Sequence, residues 1–403
     1  MIKAHSLLYS IYICLLVSIV CGALLFFSNL YNQLNLYYNL QEELYFHNQS
    51  LVNFALESRD TLPILDPEEK TGIKGSYETK PYGILNLLLV QSKTNKDTIQ
   101  SAHLIGLHTK NKTALFLTNF SKSVSYTGLV KLIGDNALPS SHIETAHITN
   151  KTNDLYIEGK NSVSENQLPK INPNFKKIFY NTQTDKTNLS DVDKPKDSLY
   201  FNSFFNATKE VYLNSIVANM IFKGNFILRS KDSLHIKKNT VLEDVILIAP
   251  KITFESGFKG SVQAFASERI ELEQNVILNY PSVVCIYNET VDESRIKIKK
   301  ECKITGAIVL FGNTNEMIDK NCMEIDENTL LFGDIYCTGK LFLKGKVHGS
   351  VFTNRVFYKT ESASYNNTIS DIEINAKKRP TYFISIPIFD SKNVSHGIIK
   401  KVL

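Results

Sequence analysis

Between Lys3 and Glu42 the chain carries no Asp, Glu, Lys or Arg, and residues 7–27 are almost wholly apolar. No other feature constrains the fold as much. A run of about 20 apolar residues matches the hydrocarbon thickness of a bilayer when helical. A single segment in lipid satisfies its backbone cheaply only as a helix. Lys3 and the α-amino group precede the run, and no Lys or Arg follows until Arg59. The positive-inside rule therefore puts residues 1–6 in the cytoplasm, a transmembrane helix at 7–28 and the bulk of the chain outside. This implies a single-pass protein of a bacterial inner membrane, facing the periplasm. A cleavable leader would have a shorter apolar core and a small-x-small site, which the Ala23 region lacks. A lipid on Cys21 would want a small residue where Val20 stands.

Beyond the membrane the apolar pattern continues. Leu30, Leu34, Tyr37, Leu44 and Leu51 follow a 4-3 spacing that Gln41 and Asn48 interrupt. The spacing predicts an amphipathic stalk helix over 29–60, ended by Pro63 and Pro67. The stripe either packs on the chain's own domain or self-associates. In the second case Gln41 and Asn48 set the register.

The outer part reads as mainly β. After a linker at 61–82, short apolar runs separated by Lys, Asn and Thr turns mark 83–180 as a β-rich domain or the first part of a solenoid. A polar loop follows at 181–200, and 201–222 reads equally as a helix or an approach strand. Over 224–358 apolar triplets recur at short intervals: 226–228, 234–236, 252–254, 270–272 and 296–298 are among them. Three such strands per coil make a parallel β-helix, expected over 201–358. Phe222-Lys223-Gly224 returns as Phe258-Lys259-Gly260. Thr-Gly, five residues, Gly occurs at Thr127, Thr305 and Thr338, reading as turn, strand, turn. The alternative is an antiparallel β-sandwich. Residues 359–403, with Pro387 inside FISIPIF, read as a segment capping the last coil.

Little catalytic chemistry emerges. Cys285, Cys302, Cys322 and Cys337 lie outside the membrane, and four cysteines allow three disulfide connectivities or none. No Cys-x-x-Cys is present. His142, Glu144 and His147 do not share a face on a strand, so a loop is expected rather than a metal site. Glu271 and Glu273 share a strand face and Glu243 adjoins Asp244, and neither pair reads as an acid-rich cluster with an Arg or His. No nucleophile elbow, phosphate loop or HExxH appears. The 45 basic and 40 acidic residues are interspersed, which predicts no nucleic-acid partner. No cofactor is expected.

The layout of residues 3–56, a short N-terminus, a membrane helix and a stalk beneath a β-rich head, resembles type IV pilins and pseudopilins. The Gly-spaced short strands of 224–358 resemble the bacterial polymer-forming β-helix proteins. These resemblances imply a non-enzymatic envelope protein with a structural, assembly or adhesive role, whose partners are the bilayer through 7–28 and other envelope proteins or itself. The alternative is an anchored polysaccharide lyase or hydrolase on a parallel β-helix, which needs stacked acids along one side.

Overall fold

A computed structural model describes residues 4–57, 72–108, 112–148, 152–180, 186–188, 199–289, 293–312, 320–380, 383–389 and 395–402. Pro63, Pro67 and most of the polar loop at 181–200 lie outside the described residues. The chain is mainly β, with one long N-terminal helix followed by a large parallel sheet. It divides into two compact units, one of Met1–Glu78 and Leu89–Ser101, the other of Thr79–Leu88 and Ala102–Leu403.

In the first unit, helix α1 runs Ala4–Glu57 without interruption. Its 54 residues span about 80 Å. The predicted membrane and stalk helices are therefore one rod, because no Pro or Gly follows Gly22 to break it. From Leu7 to Phe27 its large apolar side chains are exposed. Near its C-terminal end Leu44, Leu51, Val52 and Ala55 become buried.

The second unit holds a three-sided parallel β-helix. Each coil contributes one strand to each side, and successive coils stack in register. On the first side, inward-pointing Leu278, Ile304, Leu331 and Val347 form a ladder. On the second, Val284, Ile308, Ile335 and Val351 do so. On the third, Ile252, Ile270, Ile296, Met323 and Leu341 do so. These ladders form one continuous core. Among the described residues, pairings in this sheet are parallel apart from Phe357–Lys359 with Ser364–Asn366, which excludes the antiparallel sandwich. The ambiguous stretch at 201–222 forms strands, among them Lys209–Tyr212 and Ile221–Gly224.

The order of coils does not follow the order of the chain. Val347 pairs with Ile374, and Ile374 pairs with Leu132. Residues 113–163 therefore stack beyond residue 375 and form the far end of the solenoid, not its beginning. Strands Leu85–Lys93 and Thr98–Leu107 lie outside the solenoid, in a four-stranded sheet with Lys74–Tyr82 and His396–Val402. The C-terminal strand pairs antiparallel with Ala102–Leu107, so it does not cap the last coil.

The apolar 383–389 segment also does not close an end. It straps the outside of the second side. Outward residues there, Cys285, Val309, Tyr336 and Phe352, are buried although they stand outside the inner core. Phe389 packs on Tyr336 and Phe352, and Tyr280 Oη donates to Ile384 O at 2.6 Å. Such a side needs a cover, since apolar outward residues would otherwise face water.

The sequence repeats mark turns rather than equivalent coil positions. Thr305-Gly306 sits at the corner between the first and second sides. Thr338-Gly339 lies between the second and third, and Thr127-Gly128 between the third and first. Phe222 pairs with Leu242 inside the core, whereas Phe258 precedes its strand. The column that does repeat is Gly306, Gly333 and Gly349, stacked at one corner. A Cβ on Gly333 would overlap the carbonyl oxygen of Gly306, and its φ of +139° already disfavours a side chain.

Candidate functional site

The sequence-predicted residues do not converge. Of the stalk positions, Leu30, Leu34 and Tyr37 are exposed, Gln41 is half-buried, and Leu44, Asn48 and Leu51 are buried within their own unit. Asn48 Oδ1 accepts from Ser101 Oγ at 2.7 Å, and its Nδ2 donates to the carbonyls of Val90 and Ile99 at 3.5 Å each. Leu51 lies against Gly75, and Phe54 meets Tyr77 edge-on. Asn48 thus satisfies backbone groups of this unit's own strands, as a buried amide must.

All six cysteines are free thiols. Cys337 lies inside the core ladder, Cys285 is buried on the outward face of the second side and Cys302 lies at a turn. Burial pushes the Cys302 and Cys322 thiols up to about 11 and Cys337 up to about 12. A thiol that resists ionisation is a poor nucleophile at neutral pH. His142, Glu144 and His147 are exposed on and beside the edge strand Ile143–Thr145. Among the described residues no group of three His, Cys, Asp or Glu could hold a metal ion.

The carboxylates meet basic partners that sequence proximity does not reveal. Lys299 Nζ lies 2.6 Å from Glu273 and 3.5 Å from Glu271. Hydrogen bonding to Glu273 holds the Lys299 ammonium above its ordinary pKa. Lys400 reaches Asp244 at 2.7 Å and Glu243 at 3.3 Å. Its burial opposes the charge, and the two carboxylates outweigh that effect and raise its pKa. The hydrogen bond from Lys223 holds the Glu243 carboxyl below the usual range. A depression of about 740 Å³ beside Tyr156 contains Asp371 and Glu373. Asp371 accepts the Leu129 amide at 3.1 Å, and Glu373 is paired with Lys378 at 2.6 Å. The lysine hydrogen bonds hold the Glu243 and Glu373 carboxyls below the usual carboxylate range, the opposite of what a general acid near neutrality needs.

The third side presents a pattern the sequence analysis missed. Strand Lys251–Phe254 begins Lys-Ile-Thr-Phe, Arg269–Leu272 reads Arg-Ile-Glu-Leu, and Arg295 opens Arg-Ile-Lys-Ile. Cys322 and Lys340 open Cys-Met-Glu-Ile and Lys-Leu-Phe-Leu. Alternation sends the apolar pair inward and the first residue outward. The register then aligns Lys251, Arg269, Arg295, Cys322, Lys340 and Arg355 in one outward column. A depression of about 370 Å³ lies along it, where five basic side chains face Glu268 and Glu293. The signal was present as a basic residue ahead of every one of these apolar pairs except that opened by Cys322.

Comparison with protein-family models, with curated proteins and with solved structures found no match.

Proposed function

We propose that this chain is a single-pass membrane protein that displays its β-solenoid on the non-cytoplasmic side of a cell envelope, in a structural, assembly or adhesive role rather than a catalytic one. The observation that carries this reading is α1, which is long and apolar enough to cross a membrane and whose apolar window is wholly exposed. Apolar surface of that extent needs lipid or a partner to cover it. The charge asymmetry around residues 4–58 supports an N-terminus in the cytoplasm. An uncleaved anchor is favoured by the continuation of the same helix to Glu57, where Asn48 and Leu51 are built into a folded unit. The non-catalytic part of the proposal is supported by the pairing of Glu271 and Glu273 with Lys299, which suits stable ion pairs along a scaffold.

Carbonate extraction of membranes, with protease added to intact cells and to lysed ones, tests the reading. The full-length chain is expected to stay in the membrane pellet, with the solenoid digested only from the outer face. Recovery of a soluble chain lacking residues 1–28 would refute it.

A further inference from the structure

The outward column on the third side is a ladder of positive charge with a fixed pitch. Parallel strands in successive coils are about 4.8 Å apart. Lys251 to Arg355 therefore spans about 24 Å. Lys251, Arg269 and Arg295 are exposed. Arg269 has no ion pair among the described residues, while Lys251 meets Glu268 at 3.2 Å and Arg295 meets Glu324. Where Cys322 interrupts the column, exposed Lys320 lies in the same depression.

The next outward column changes character along its length. It runs Thr253, Glu271, Lys297, Glu324 and then Phe342. The Phe342 ring lies 5.5 Å from that of Phe357, the two tilted by 35°. Phe342 lines both the basic depression and a neighbouring one of about 550 Å³ that Phe357 also lines. A row of cations thus runs alongside a short aromatic platform.

We infer that this side binds an acidic polysaccharide, a linear chain of carboxylated pyranose units laid along the solenoid axis. Four features select that chemistry. The cations are in line, so they match a polymer rather than a single small anion. An extended pyranose chain advances per unit by about the distance between coils, so the carboxylates turned towards the column meet its basic residues at whole multiples of the coil spacing. The ring of Phe342, braced by Phe357 whose own ring lies 5.4 Å from Lys340 Nζ, offers an apolar face on which the C–H face of a sugar lies flat. Arg269 and Arg295 present forked donors that match a carboxylate. Glu268 and Glu324 hold two of the cations in position and are displaced or bridged when the polymer arrives. The inference deepens the adhesive form of the proposed function by naming a ligand class, and it concerns the head alone.

The test is calorimetric titration of the full-length chain in detergent with oligogalacturonate, a neutral glucan oligomer of equal length, and oligothymidylate. Measured on purified protein, the result is independent of membrane topology, so its failure and the failure of the fractionation test are separate outcomes. Oligogalacturonate is expected to bind, with affinity falling as salt rises, and the neutral glucan not to bind. Arg269→Glu and Arg295→Glu each weaken binding about tenfold or more. Lys259→Glu, the same charge change on an exposed residue of the first side, leaves binding within about twofold, the scale of a long-range effect alone. Phe342→Ala weakens binding while its salt dependence is unchanged. Circular dichroism confirms that each variant keeps its β content. No binding of oligogalacturonate, equal loss in Lys259→Glu, or tighter binding of oligothymidylate at the same column would overturn the inference.

Discussion

Arg379 pins the strap over the solenoid's second side, and replacing it should open that strap. Its Nη2 donates to Asp334 Oδ1, its Nη1 donates to Ser385 Oγ at 3.1 Å, and its guanidinium lies 5.3 Å from the centre of the Phe383 ring. The side chains of Arg379 and Asp334 are only 11% and 10% exposed. In Arg379→Met the Asp334 carboxylate stays buried, and of its named contacts only the Ser350 amide at 3.2 Å remains. Breaking a buried pair from one side costs about 3–5 kcal/mol. The surviving backbone bond argues for the lower end, about 3 kcal/mol. If the cost falls on opening of the strap, amide exchange over 383–389 accelerates about a hundredfold, since 1.36 kcal/mol is a factor of ten. Two amides report directly: Ser385 N bonds Leu107 O and Leu107 N bonds Ser385 O, both at 2.9 Å. Hydrogen exchange read by mass spectrometry on the detergent-solubilised chain makes the measurement. In Arg379→Met with Asp334→Leu no buried charge is left alone, and exchange should return to within about tenfold of the parent. Unchanged exchange in the single variant, or a double variant as labile as the single, would refute the account of a strap held by this ion pair.

Gly333→Ala should destabilise the solenoid by about 3 kcal/mol or more, because a left-handed φ and an overlap with the Gly306 carbonyl add together. Gly257→Ala, at φ +79° with open space around it, should cost only about 1–2 kcal/mol, and paired thermal melts separate the two effects. Burial holds the His103 imidazole down at about 4, with neither ring nitrogen partnered. A base whose folded pKa is depressed contributes stability that is complete above pH 6.5 and is lost as pH falls towards 4. Going from pH 7 to pH 5 should therefore cost about 2 kcal/mol, and His103→Phe should remove that part of the slope in denaturant titrations. Asn48→Leu should destabilise the helix-bearing unit by about 1–3 kcal/mol, since Ser101 loses its partner and two carbonyls lose a donor; proteolysis between the helix and the first strand should speed up accordingly.

What was legible in the sequence was what depends on neighbours along the chain. A long uncharged apolar run without Pro favours a helix, and Leu7 to Phe27 form one. Alternation over three or four residues must make a strand with one inward face, and triplets such as Ile252 to Phe254 and Ile270 to Leu272 became strands of a parallel coil. Even the Thr-Gly copies were read correctly as turns. The stalk stripe was half legible: the helix was there, but Asn48 serves its own strands at that unit's core.

Stacking order was decided elsewhere. Coil lengths vary, so Lys251, Arg269, Arg295, Cys322, Lys340 and Arg355 align at intervals of 18, 26, 27, 18 and 15 residues, which no fixed period detects. Residues 113–163 join the coil that ends at residue 375 because an open strand edge accepts any matching edge, however distant in sequence. Lys400 finds Glu243 and Asp244, and Arg379 finds Asp334, by the same route. The sequence by itself determined the apolar N-terminal helix, the strand units and their inward faces, because those follow from local periodicity and solvation. Only the tertiary structure decided which coils touch, which charges meet and which side is covered, because backbone pairing between strands carries no record of chain distance.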